Sequence, residues 1–524
     1  MTSHSVRRPQ LSAVHLFPLF FIFIFVLHAG LLRLPFFWDE AGYYVPAAHD
    51  LAQYHALIPH TTMDTGHPPL PAAYLALWFS LSGWKPAVGR IAQLLLAAFA
   101  LTNVFLLAQR VSNSAIAWAT TIATAAYPIF FVQSSLAHAD MMAAAFTLWG
   151  IRLVIEQRIG LAQLAFALAA LSKETAVITP LALGVWELLR RHREDEASRI
   201  SRAAPFIIPA IPLAAWLLYH HHATGRFFGN AEFYQYNVTF ALSPLRFVLA
   251  LGLRLWQLLG IMNMLALTAA MALAMFFPPV SDASGERPRI SINVQLQFAV
   301  IMLAHVFTFS LIGGAVLTRY MLPCYPLVIL LGMSTLHRRI RNWQWAAAAI
   351  IALFIVALFV DPPYRIAPED NLAYSRFVRL HAAAARFLEQ HEQGDAILTA
   401  WPASDELTKP YLGYVKQPFS ITPVRDFTAE EVLRARGMHG QYQVAYLFST
   451  KYESQSWLRS ALWERFNRRF FDYHRDLSPE AAAQLLGGRV VYFARHGAEW
   501  VQIIEMEPSG AVANKSKGAD WPRP

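Results

Sequence analysis

Two carboxylates stand side by side in FFWDEAGYY, residues 36–44, directly after an apolar run and between aromatic rings. A carboxyl group partly withdrawn from water at a membrane boundary binds its proton more tightly, which makes Asp39 or Glu40 a usable general base near neutral pH. The plainer alternative is a solvated acidic pair that stops a helix at the interface. A second stretch, GHPPLPAAYLAL at 66–77, holds His67 at a proline-stiffened helix entrance. His-Pro-Pro by itself signals only a helix start. Asp140 opens another helical stretch, where a negative charge also suits the helix dipole. His60, Asp64 and His67 lie close in sequence and include ligand types that zinc or manganese accept. With 19 His in the chain, such groupings also arise by chance.

The elements that must position these residues are apolar helices. Hydrophobic residues make up 56% of the 524 and charged residues only 15%, against about a quarter charged in soluble domains. The shortage is concentrated before residue 361. A bilayer core requires roughly 20 apolar residues per helix, and the runs predict spans near 11–33, 90–109, 114–132, 139–156, 160–172, 175–189, 204–219, 257–277, 296–315, 320–336 and 344–360. Residues 245–256, interrupted by Arg246 and Arg254, read as an amphipathic helix lying on the membrane surface.

With the N-terminus inside, the inner segments hold fourteen Lys or Arg and the outer segments, tail excluded, seven. That bias supports this orientation. An odd number of spans then puts the C-terminal part outside. The first outer segment, 34–89, carries seven prolines and is expected to form short broken helices. The expected division is a transmembrane domain over 1–361, an outer soluble α/β domain over 362–508 and a disordered tail over 509–524. Within the second, 371–392 is helical, 395–401 and 442–448 are strands, and RVVYFA with WVQIIEM forms a terminal hairpin. The net charge of +9 is spread between apolar runs rather than gathered in a patch, which argues against nucleic acid. One cysteine, Cys324, excludes an internal disulfide and any CxxC metal site.

Together the motifs resemble a known family. Asp-Glu after the first helix and H-P-P-L in the same loop are similar to the protein O-mannosyltransferases and their bacterial relatives, including the lipid A aminoarabinose transferases. LAHADMMAAAF (136–146) resembles that family's second acidic site, SKETAVITPLAL (172–183) its Lys-containing turn, and TRYMLPCYPLVIL (318–330) a late helix opening on a basic residue. The resemblance runs over about 30–335. It departs where the aminoarabinose enzymes have an Arg soon after the acidic pair, here Gly42 and Tyr43. It departs again where they have Lys before Pro-Pro, here His67.

What the resemblance implies is a mainly α, polytopic C-type glycosyltransferase of about eleven helices. Such an enzyme passes a sugar from a polyprenyl-phosphate donor to an acceptor hydroxyl on the outer face of a bacterial inner membrane, with inversion. Asp39 is then the base, with Glu40 and Asp140 supporting it. Lys173 and Arg319, then Arg254, with His67, Tyr43 and Tyr320, are the expected phosphate and substrate contacts. No cofactor is required, and a divalent metal at His60, Asp64 and His67 is the lesser option. The acceptor (protein, lipid A or another envelope glycan) is left open. A polytopic transporter or lipid-sugar flippase is the competing class. It calls for charges within the spans and for repeats, neither of which is evident.

Overall fold

The computed structural model describes residues 12–190, 196–230, 244–282, 285–312, 316–450, 461–471 and 476–506. The tail over 509–524 and residues 231–243 lie outside them. Two compact units are formed: Met1–Val378 with Tyr411–Gly413 and Tyr452–Tyr473, and the remainder of the chain from Arg379.

The first unit is helical. Helices Ala13–His28, Pro86–Val111, Ala139–Ile155, Ile159–Ser172, Ile178–Leu189, Tyr325–Arg339 and Trp343–Phe359 occupy apolar runs read from the sequence. Small residues on Ala139–Ile155 let its neighbours approach: a Cβ on Gly150 would sit 2.4 Å from the Phe166 ring. Among the described residues, Pro86–Val111 and Ile292–Ile312 are long and apolar enough to cross a membrane, and two bent helix pairs bring the number to four if each pair is one span.

One bent pair corrects the expectation for 245–277. Helix Pro244–Leu259 meets Met264–Ala274 at 82°, because Met262 and Asn263 adopt positive φ and end the first helix. Arg246 and Arg254 are buried on the inward face rather than lying at a membrane surface. The run 114–132 is likewise broken. Helix Ser114–Ala126 stops at Tyr127, and Pro128 starts a new short helix, since proline cannot donate to the preceding turn.

The 34–89 segment forms short helices, as its prolines require. A π-helical turn, Glu40–Tyr44, leads into Val45–Tyr54, and Leu70–Ser82 follows the double proline. The second unit is a five-stranded sheet ordered Ser420–Val424, Ala396–Ala400, Val444–Phe448, Glu499–Met506, Gly488–His496. The first three strands are parallel and the last two antiparallel, with the expected terminal hairpin at one edge.

Candidate active site

The turn that carries the acidic pair is held from below by a buried ion pair. Glu40 is fully buried and accepts hydrogen bonds from the backbone of Phe37 at 2.7 Å and of Ala137 at 2.6 Å. Arg90, also fully buried, reaches the same carboxylate at 3.2–3.3 Å. It donates further to the carbonyls of Leu34, Pro35 and Ser135. Burial pushes the Glu40 proton affinity up, while Arg90 and the two backbone donors pull it back. Glu40 therefore ties the 34–40 loop to the 135–137 loop, facing away from any cleft. Before the pair, Trp38 takes φ 44°, a strained backbone for a bulky residue, costing about 1–3 kcal/mol. Its ring packs on Phe37 and Phe377 at 6.0 and 5.5 Å.

Asp39 turns the other way, toward Arg319. Arg319 sits in the one-turn helix Thr318–Met321 and is the hub of the site. Its Nη2 pairs with Asp39, its Nε lies 3.3 Å from Asp140 Oδ2, and its Nη1 donates to Glu369 Oε1 at 2.6 Å. Asp140 also accepts from Lys173 Nζ at 2.7 Å. The Lys173 ammonium stands 4.3 Å from the centre of the Tyr320 ring, and the Arg254 guanidinium 5.4 Å from it. Arg254 is fixed by Gln257 at 2.7 Å and by the Leu317 carbonyl at 2.8 Å. A cleft of about 310 Å³ opens here, with Asp140, Lys173, Arg319 and Tyr320 at its polar end and Ala143, Ala144 and Phe309 among its apolar walls.

Glu369 was not singled out from sequence. It comes from the segment Pro368–Asp370 after the last apolar helix, and its neighbour Asp370 anchors that segment by accepting from Thr318 and from the Ala367 backbone. Burial pushes Glu369 up to about 8 against the pull of Arg319, and Asp39, Asp370 and Asp140 push the same way. Like charges sharing one partner cannot all ionise cheaply. Burial likewise raises Asp370 to about 6, against its hydrogen bond from Thr318. The only sequence signal was an acidic pair just after an apolar run, the same placement as Asp39-Glu40 with no motif around it.

His67 and Tyr43 belong to a different cleft, of about 510 Å³. His67 Nδ1 donates to Glu174 Oε2 at 2.8 Å. Burial favours a protonated Glu174, but the His67 charge and hydrogen bond, with Lys173, outweigh it and hold the group down to about 2. Tyr44 divides the two clefts. Its ring stacks on His67 at 6.2 Å and lies 5.7 Å from His138, whose Nδ1 is 3.4 Å from Arg319. Burial, then Arg319 and Lys173, drive His138 well toward its neutral form.

His60, Asp64 and His67 are not gathered into a ligand set. The His60 backbone donates to Asp50, Asp64 faces His220 at 3.0 Å, and His67 faces Glu174. Among the described residues no group of three or more His, Cys, Asp or Glu could hold a metal ion. Asp39, Asp140 and Glu369 instead converge on Arg319.

The helical body thus carries an acidic turn after its first helix, with Arg319 facing Asp39 and Asp140, and Lys173 facing Asp140. Residues 66–220 match the family model described as dolichyl-phosphate-mannose-protein mannosyltransferase. The fold is similar to that of ArnT from Cupriavidus metallidurans in the apo state, with a TM-score of 0.55 at 14% identity over 94% of this chain and 98% of that one. The undecaprenyl-phosphate-bound form of ArnT gives 0.52 at 15%, over 93% and 97%. An oligosaccharyltransferase from Archaeoglobus fulgidus, in complex with zinc and sulfate, gives 0.50 at 10%, over 83% and 68%. No curated protein matches the sequence. The fold is thus like that of ArnT, and residues 66–220 carry the pattern of the mannosyltransferase family model.

Proposed function

We propose that this protein is an inverting membrane glycosyltransferase that uses a polyprenyl-phosphate sugar and works at the outer face of a cytoplasmic membrane. It crosses that membrane about eleven times, with its N-terminus inside and its C-terminal unit outside. The observation that carries the reading is the convergence of Asp39, Asp140 and Glu369 on Arg319, beside Lys173 and an apolar-walled cleft. A lipid phosphate has one anionic end and one apolar end, and this cleft offers a match for each.

In this reading the donor phosphate lies against Lys173 and Arg319, with Arg254 supporting the field behind Tyr320. The acceptor oxygen attacks the anomeric carbon as the bond from that carbon to the phosphate oxygen breaks. The phosphate leaves with the electron pair and is stabilised by the cations. The hydroxyl proton passes to Asp39. A phosphate at Arg319 competes with the carboxylates for its donors, so donor binding itself frees Asp39 to act. Asp140 keeps Lys173 and Arg319 apart and oriented, and Glu40 holds the turn. No step requires a metal.

The test supplies labelled polyprenyl-phosphate sugars to membranes containing wild type or Asp39→Asn. Wild type is expected to hydrolyse or transfer at least one of them, and loss of the base lowers the rate by about 10²–10⁴. No turnover by wild type with any such donor rules the reading out, and an equally active Asp39→Asn removes Asp39 as the base.

A further inference from the structure

The second cleft is the one part of this architecture that the donor chemistry does not use. We propose that it is the acceptor subsite, and that it is built for an uncharged pyranoside rather than for a phosphorylated lipid or a peptide. The assignment rests on the transferase reading above and names the substrate class of the same centre.

Position comes first. Tyr44 is shared: it lines this cleft, stacks on His67, and approaches His138, which touches the Arg319 hub. Between a ligand in the cleft and the acid–base cluster stand Tyr44 and then His138.

The lining then selects the chemistry. Among the described residues, none of those lining the cleft is Lys or Arg. The formal charges at its wall are the carboxylates Asp64 and, behind His67, Glu174. A polyanionic acceptor would meet these carboxylates, and among the described lining residues His67 is the one able to carry a positive charge. Four of the lining residues are prolines, 59, 68, 69 and 71, and proline has no N–H to offer a peptide carbonyl. What remains is a set of flat aromatic faces, Tyr43, Tyr44 and Trp216, with carboxylate and imidazole groups between them. Such faces suit the C–H surface of a sugar ring, and carboxylates accept from its hydroxyls.

The cleft is also preformed. Trp216 Nε1 donates to the Gly66 carbonyl at 3.1 Å, and Asn230 donates to the Asp64 carbonyl at 2.9 Å. Gly66, at φ +71°, lies so close to the backbone of Gly229 that a Cβ would come within 2.4 Å of its nitrogen.

The experiment uses the full chain in lipid nanodiscs and reads saturation-transfer NMR from three probes: neutral methyl pyranosides, a phosphorylated glucosamine disaccharide and a Ser/Thr peptide. Binding of undecaprenyl phosphate is measured in parallel as the donor-side control. At least one neutral pyranoside is expected to bind more tightly than the other two classes. Ala72→Trp, which fills the cleft, should weaken it by about tenfold or more while undecaprenyl phosphate still binds. Tighter binding by the phosphorylated probe or the peptide overturns the proposal, as does pyranoside binding indifferent to Ala72→Trp. Should that variant also lose undecaprenyl phosphate, the ranking of the three probes on wild type decides alone. Failure of the transferase reading shows separately, as absence of donor turnover.

Discussion

Arg319 is the residue on which the centre turns, because three carboxylates share its guanidinium. Removing it leaves three buried or half-buried carboxylates facing only Lys173. Arg319→Ala is therefore expected to lose stability as well as activity, by about 3–5 kcal/mol, read as a lowered unfolding midpoint in detergent. The double variant Arg319→Met/Glu369→Met should recover part of that loss, since one stranded charge goes with its partner. From the sequence, Arg319 stood out as a cation on a face where cations are scarce. Glu369 did not, because its link to Arg319 joins positions 50 residues apart with no periodicity between them.

The π-helical turn Glu40–Tyr44 shows how neighbours in sequence are given different tasks. Asp39 faces the hub and Glu40 faces Arg90, so substitutions at the two positions should separate. Glu40→Ala strands the Arg90 charge in a fully buried site and is expected to cost about 3–5 kcal/mol, lowering the unfolding midpoint and the folded yield. Asp39→Asn should leave the unfolding midpoint close to wild type while abolishing transfer. A Glu40→Ala protein that is stable but inactive would place Glu40 in the chemistry instead. The apolar periods marked out nearly all the helices, yet the bend at Met262 and Asn263 escaped them. Left-handed backbone at those residues is imposed by packing, including a hydrogen bond from the Met262 backbone N–H to the Tyr364 hydroxyl at 2.9 Å, and not by a Gly or Pro that a sequence would display.

For the whole molecule, the clearest pH signature belongs to Glu369. Its folded value of about 8 lies above the ordinary 4.5, so between those limits the folded protein holds a proton that the unfolded chain has released. Stability from this group is complete below about pH 4.5 and declines as pH rises through 8. Glu369→Gln should flatten that decline in unfolding midpoints measured from pH 5 to 9, and an unchanged slope would assign it elsewhere. Orientation can be tested with the same economy, because Cys324, the only cysteine, is fully buried. With Ser420→Cys, an exposed position in the C-terminal unit, an impermeant maleimide should label cells whose cytoplasmic membrane is accessible but unbroken. Labelling only after lysis would reverse the topology.

The sequence by itself determined the helical body, the proline-broken loop, the sheet in the C-terminal unit and most of the residues gathered around Arg319. Apolar periodicity, proline and charge scarcity are local properties, each readable within a single segment. The tertiary structure decided which groups meet: that Asp39 and Glu40 part company, that a carboxylate from beyond the last apolar helix completes the hub, and that His67 lines a second cleft. Those outcomes depend on burial and on pairings between segments up to 280 residues apart. A charged group withdrawn from water must find its partner wherever the packing of the helices places one.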